Sequence, residues 1–305
     1  MPDSAPGLGA PLGARLEDLS AGDDEKLILE LSMDTSSPVL YRVEAFNTAA
    51  ASENRIHDDE TARRFGFRGG LVPGVEVYAY MAHMPVQRFG EVWFERGGME
   101  CRFLKPVYDG RVATISADED VNGLALRVES EGELCATGQA WLRDIAAPAA
   151  PRPDVNLPLR PPVHRPEASE TSLAPGKVLG IEPVVIDEAT LAQYLSDIRE
   201  KEPLYARAKL VHPGQILRLA NLALLQNVKL GPWIHIGSRV ENFGPARLRN
   251  RLALYAQITS NHKHKGHDIV EIDAKVLANH DSMITQIKHL AIWRPRQMAE
   301  NAARN

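Results

Sequence analysis

Two stretches of the chain place apolar residues at helical spacing over several turns. In "GVEVYAYMAHMPVQRFG" (74–90), Val75, Ala79, Ala82 and Val86 share one face. In "GQILRLANLALLQNVKLG" (214–231), Ile216, Leu217, Ala220, Ala223 and Leu224 do the same. Each helix opens on a Pro-Gly pair, Pro73-Gly74 and Pro213-Gly214. Strand-like runs follow each one: "MECRFLKPV", "RVATISADED", "LALRVES" and "LCATGQAWL" first, then "RVENF", "RLALYAQITS", "IVEIDAKVLA" and "SMITQIKHLAIW". The two halves match at an offset of 140, pairing the Pro-Gly steps, Trp93 with Trp233, Phe103 with Phe243, and Arg111 with Arg251. A long apolar helix followed by a meander of strands, present twice, predicts an α+β architecture in which a sheet wraps a central helix in each half.

The segments between these patterns set the expected boundaries. Residues 1–35 are rich in Gly, Pro, Ala and Asp without hydrophobic period, and are expected to be mobile or loosely docked. Residues 144–177 hold eight of the chain's 21 prolines. Missing backbone donors and fixed φ angles exclude such a run from helix or central strand, so a stiff, extended linker is expected there. The two structural units are then 36–143 and 178–296, with 297–305 as a tail.

Composition narrows the function classes. The net charge of −5 and pI near 6.1 argue against general affinity for nucleic acid or an anionic membrane. No apolar run is long enough to span a bilayer, and the first residues lack the basic start and apolar core of a signal peptide, so a cytoplasmic protein is expected. Cys101 and Cys135 lie in apolar runs far from any CxxC spacing and read as reduced core thiols. No GxSxG, P-loop or GxGxxG introducing a βαβ unit is present. "NHKHKGH" brings His262, His264 and His267 into one polar turn, which reads as a hairpin tip rather than a metal site.

The stretch "FNTAAASENRIH" (46–57), continued by "DDETARRFGF" and "LVPG", carries more specific information, together with "RFLKPVYDGR" (102–111). These segments resemble the MaoC-like (R)-specific enoyl-thioester hydratases and dehydratases in their tandem, double-hotdog form. The family hallmark runs roughly F-A-x-x-S-G-D-x-N-P-I-H and leads to a His-Gly that opens the long helix. Phe46, Asn54, Ile56 and His57 match it, as do Gly66-Phe67 and Gly74. The family's catalytic Asp falls on Ser52, its Pro on Arg55, and the His before the helix glycine on Pro73. In the second half, "YLSDIREKEPLY" (194–205) aligns with the same hallmark, with Glu200 in the Asp position and Tyr205 in the His position. The resemblance implies that the two halves form a pseudo-dimer within one chain, with any further homodimer built on outer surfaces. It implies an acyl thioester of CoA or of an acyl carrier protein as partner, bound between the halves without cofactor or metal.

In that family an Asp and a His together position and deprotonate a water that adds to an enoyl thioester, and amides at the start of the long helix hold the thioester oxygen. His57 keeps this chemistry available, because an imidazole exchanges protons near neutral pH. Ser52 can orient a water but cannot take its proton, and Asn54 is expected to fix the loop through backbone bonds. Glu53 would supply a carboxylate only in a rotated loop. Gly74 and Val75, and Glu76 just inside the helix, are the expected oxyanion and substrate contacts, since unpaired amides and the helix dipole favour a developing negative charge. Asp58, Asp59 and Glu60 suit the N-terminus of a short helix through "ETARRF". The expected activity is that of a hydratase or dehydratase using His57. The alternatives are an acyl-thioester-binding protein without turnover, or another chemistry of the same fold such as thioester hydrolysis.

Overall fold

The structure, a computed structural model, describes residues 38–144, 160–279 and 282–298. The expected mobile segment 1–35, residues 145–159 of the expected linker and most of the tail lie outside the described residues. The first half contains β1 (Val39–Glu44), α1 (Asp59–Arg64), α2 (Gly74–Phe89), α3 (Val92–Arg96), β2 (Gly97–Phe103), β3 (Val112–Asp120), β4 (Gly123–Ser130) and β5 (Glu133–Leu142). The second contains β6 (Val178–Gly180), β7 (Val184–Val185), α4 (Glu188–Asp197), α5 (Leu204–Ala208), α6 (Pro213–Asn227), β8 (Ile234–Asn242), β9 (Arg251–His264), β10 (His267–Ala278) and β11 (Ser282–Arg294).

All strands join one antiparallel sheet in the order β1-β3-β4-β5-β2-β8-β11-β10-β9-β6, with β7 also on β9. Read from its centre, the order of one half mirrors that of the other. The central ladder pairs residues 98–102 with 237–241 and is centred on Glu100–Arg239. Helices α2 and α6 lie side by side in the concave face. Nearly every side chain of α2 from Val75 to Val86 is buried, as a helix enclosed by sheet and partner helix requires. Gly214 permits the close approach: a Cβ there would lie 2.1 Å from Tyr194 Oη and 2.7 Å from Ala79 Cβ.

The duplication is therefore real, but its offset is not constant. It is 140 at the Pro-Gly helix starts. Around the central ladder and beyond it is 139. Leu104 N–H donates to Cys135 O as Phe243 N–H does to Ile284 O, and Arg111 N–H donates to Tyr108 O as Asn250 N–H does to Arg247 O. Phe103 and Arg111 thus correspond to Asn242 and Asn250, one step before Phe243 and Arg251. Ahead of the helices the offset is also 139, because Val72 N–H donates to Val107 O as Val211 N–H does to Ala246 O. One extra residue, His212, therefore stands between Val211 and the second Pro-Gly.

Part of the Pro-rich stretch departs from a free, extended linker. Residues 169–174 turn on the Ser169 and Ser172 hydroxyls, Leu173 is fully buried, and Lys229 N–H donates to Pro166 O. Proline excludes ladder donors but still permits docking on an existing core.

A buried cluster joins the halves beside α2 and α6. The Glu200 carboxylate accepts from His83 Nδ1 at 2.8 Å and lies 3.6 Å from His212 Nε2, with His83 stacked on Tyr41. Burial alone would raise Glu200, but the nearby His212 imidazole and the hydrogen bond from His83 outweigh it and hold the carboxyl well below its ordinary range. A carboxyl lower in the folded state contributes stability that is present above its unfolded value and lost as pH falls. Thermal melts should therefore fall steeply below about pH 4.5 in the wild type. In Glu200→Gln the melting temperature should be lower at pH 7 and the acid limb shallower. Parallel pH curves for the two proteins would show that the cluster carries no such linkage.

Candidate active site

The loop bearing His57 is shaped by its own short polar side chains. Asn54 caps the turn Arg55–His57 through Ile56 N–H, and Asp58 caps α1 by accepting from Glu60 and Thr61 N–H at 3.0 Å. Asp58, Asp59 and Glu60 thus serve the helix N-terminus, as their charge led one to expect, and Asp59 Oδ1 also takes Gly70 N–H at 2.8 Å. His57 Nδ1 lies 2.7 Å from Leu71 O. A carbonyl only accepts, so Nδ1 carries the hydrogen and the Nε2 lone pair is left for chemistry. Burial lowers His57 below the ordinary imidazole value, with the Leu71 bond opposing it.

Asn54 does more than fix its own loop. Its Nδ2 donates to Trp233 O at 2.9 Å, its Oδ1 accepts from Trp233 N–H at 3.2 Å, and its second amide hydrogen faces His57 Nε2 at 3.3 Å. The side chain therefore clamps the first-half loop to the second-half backbone and aims the imidazole. The contact to Nε2 is long, and a shorter donor can displace it.

Between the halves lies a cavity of about 400 Å³, lined by Asn54, His57 and Gly74 from the first half and by Asn221, Trp233 and His235 from the second. Its walls are otherwise largely apolar, including Phe65, Phe67, Leu71, Val77 and Phe103, and Lys105, His267 and Arg296 also line it. Helix α2 begins at this cavity. Glu76 and Val77 N–H both turn back to Pro73 O, whereas Gly74 and Val75 N–H have no backbone acceptor among the described residues. Pro73 offers no side-chain cap. A Cβ at Gly74 would lie 2.8 Å from His235 Nδ1 and 3.0 Å from Phe103 Cε2, so only glycine fits there.

The remaining sequence candidates lie elsewhere. Ser52 Oγ donates to Asn54 O at 3.2 Å and does not line the cavity. Glu53 faces outward and pairs with Arg165 at 3.0 Å. The Val75 side chain is core. Glu76 does not reach the cavity, since two residues past Gly74, about half a turn of α2, it faces the opposite helix. There the fully buried carboxylate accepts from Arg218 Nε at 2.8 Å, Tyr194 Oη at 2.8 Å and Thr48 Oγ1 at 3.1 Å. It joins the halves instead of contacting a ligand. His262 and His264 lie on the β9–β10 hairpin, and among the described residues no group of three His, Cys, Asp or Glu side chains could hold a metal. Cys101 and Cys135 are unbridged and buried, and burial pushes Cys101 up to about 12, too high for a nucleophile.

The twin of this cavity, at the start of α6, is closed. Val211, Pro213 and Ala246 stand in the places of Val72, Pro73 and Val107, but the space they line is only about 10 Å³. The extra residue His212 caps the helix, accepting Gly214 N–H on Nδ1 at 3.0 Å, and Tyr205 packs its buried ring against His212 and Phe94. One helix start is filled by the protein itself. The other is open.

The mirrored sheet and paired central helices define a double hotdog. No family model matches the sequence, and no curated protein matches it. Solved structures do match. A conserved hypothetical protein from Mycobacterium tuberculosis with a double hotdog fold superposes with a TM-score of 0.57 at 15% identity, over 85% of this chain and 97% of that one. A MaoC-domain protein assigned as a dehydratase, from Chloroflexus aurantiacus J-10-fl, gives 0.53 at 12% identity, over 86% and 97%. A MaoC-like dehydratase gives 0.51 at 13% identity, over 82% and 97%. Its structural neighbours are thus MaoC-like dehydratases and double hotdog proteins. The halves that separate chains would bring together are here joined in one, and among the described residues no helix is long and apolar enough to cross a membrane.

Proposed function

We propose that this protein hydrates a 2-enoyl thioester, or dehydrates the corresponding 3-hydroxyacyl thioester, with His57 as the acid–base group. The observation that carries the reading is convergence. His57, whose Nε2 carries only the long Asn54 contact, and Gly74 line one largely apolar cavity between the halves, and the Gly74 and Val75 amides at the helix start have no backbone acceptor among the described residues. An acyl chain suits the apolar walls, and Lys105 and Arg296 suit the phosphates of CoA or of a carrier's phosphopantetheine arm. In hydration, water gives a proton to Nε2 as its oxygen bonds to Cβ. The Cα=Cβ pair shifts to join Cα to the carbonyl carbon as the carbonyl π pair moves onto the thioester oxygen, which the helix amides hold. The imidazolium then returns the proton to Cα as the carbonyl re-forms.

Acyl-thioester binding without turnover is the second reading, and one observation favours it: among the described residues no carboxylate lines the cavity. Loss of absorbance on hydration of crotonyl-CoA and longer 2-enoyl-CoA thioesters separates the two. Tight binding with no turnover at any chain length would establish the second. If His57 is the base, it must be neutral to act. Its lowered value then keeps kcat/KM on its plateau below pH 6.5, the ordinary imidazole value, so the acidic limb should fall at more acidic pH. An acidic limb above 6.5 would assign the proton transfer to another group.

A further inference from the structure

The cavity holds a second imidazole that the chemistry above leaves unused. His235 lies on β8, is 6% exposed, and lines the cavity beside Gly74. Its Nε2 sits 3.1 Å from Gly237 O and 2.8 Å from Ser238 Oγ. The carbonyl can only accept, so Nε2 carries the ring hydrogen and Nδ1 is a bare lone pair. That Nδ1 is buried without a partner. Ser238 Oγ lies 3.0 Å from His289 Nδ1, to which it can donate while it accepts from His235. The ring plane is set by His289, stacked at 4.2 Å, and by Phe103, edge-on at 4.8 Å. A buried acceptor left unpaired is unfavourable, and a ligand hydrogen would remove that cost.

We propose that His235 Nδ1 is the second hydrogen-bond acceptor of the reaction, holding the water whose proton His57 takes or, in the reverse direction, the departing 3-hydroxyl to which His57 delivers a proton. The proposal rests on the hydratase reading and supplies what Ser52 does not: a second polar partner for the reacting oxygen, contributed across the interface. Water has two hydrogens. One is transferred to His57 Nε2 as the oxygen bonds to Cβ, while the other stays on oxygen and points at His235 Nδ1. The two rings are held in relation by Asn54, which contacts His57 and grips both backbone groups of Trp233, two residues before His235. Burial, reinforced by the neighbouring His289, keeps His235 well below the ordinary imidazole range despite the Gly237 bond. It therefore remains neutral and acts by accepting, not by taking the proton.

The test is the hydration of crotonyl-CoA by wild type, His57→Ala, His235→Leu and His235→Asn, each checked by near-UV circular dichroism. In His235→Leu, kcat should fall about ten- to a hundredfold with KM within about twofold. His235→Asn, whose Oδ1 can occupy the Nδ1 position, should recover most of that loss. A His235→Leu protein with wild-type kcat, or an Asn variant as damaged as the Leu variant, overturns the proposal. Should His235→Leu fail to fold, ¹⁵N NMR of histidine-labelled wild type decides. Nδ1 should be unprotonated in the free protein, and its signal should move upfield with saturating (R)-3-hydroxybutyryl-CoA. A protonated Nδ1 or an unmoved signal overturns the proposal. Failure of the hydratase reading looks different, because the wild type itself would then not turn over. In that case a signal that still moves keeps His235 as a ligand acceptor, and an unmoved one removes that role as well.

Discussion

Replacing His57 with alanine is expected to lower kcat/KM for 2-enoyl-CoA hydration by at least about a hundredfold. The ring supplies the Nε2 lone pair, and its Nδ1 hydrogen bond to Leu71 O fixes this tautomer together with the longer Asn54 contact to Nε2. The fold should survive. The lost bond lies in a surface-proximal loop whose other anchors, Asn54 to Trp233 and Asn47 Nδ2 to His57 O at 2.7 Å, do not use the imidazole. The destabilisation should be about 1 kcal/mol in urea melts. Activity within about threefold of wild type would remove His57 from the reaction. Ser52→Asp is a useful companion. By residue position alone it would place a carboxylate where the similar MaoC-like motif carries its Asp, and would be expected to raise activity. In the structure a carboxylate at Ser52 would meet the Asn54 carbonyl to which the hydroxyl now donates. Little or no gain is therefore expected.

The largest stability effect should come from Arg218→Met. This change removes the cation facing a fully buried Glu76 carboxylate and leaves Tyr194 and Thr48 as its only hydrogen-bond partners among the described residues. Breaking such a pair by removing one partner costs about 3–5 kcal/mol, mostly the penalty of an uncompensated buried charge. The Arg218 side chain is 36% exposed, so the penalty should lie toward the lower end of that range. Glu76→Gln combined with Arg218→Met removes the orphaned charge and should recover much of the loss. Urea midpoints of the three variants measure this directly. A loss below about 1 kcal/mol in the single Arg218 variant would place the pair with ordinary surface ion pairs, which stabilise by that little.

The repeat, the central helices and most strands were legible along the chain because each depends on near neighbours. Helical spacing in 74–90 and 214–231 and alternation in the strand runs follow from burying one face of a local element. The structure places helices and strands on those stretches, while β1 (Val39–Glu44) and the short helix at Trp93 carried too little pattern to be seen. The residue match that singled out His57 likewise needed only a short local motif, and Asn54 and Gly74 came with it.

What the sequence by itself determined, then, is the double hotdog and the loop that presents His57. Which of two similar helix starts would be open was decided by tertiary structure. One inserted residue, His212, caps one start, and Tyr205 fills the space beside it; neither reads locally as a closed site. His235 could not be paired with His57 from spacing, since they lie on different halves and line one cavity only when those halves dock. The same docking turned Glu76 from an expected ligand contact into a buried tie to Arg218, whereas Ser52 is held by a carbonyl two residues along its own loop. Periodicity reports which face of an element is buried. It cannot report what a side chain meets there, because that partner is supplied by residues more than a hundred positions away, as Trp233 is for Asn54.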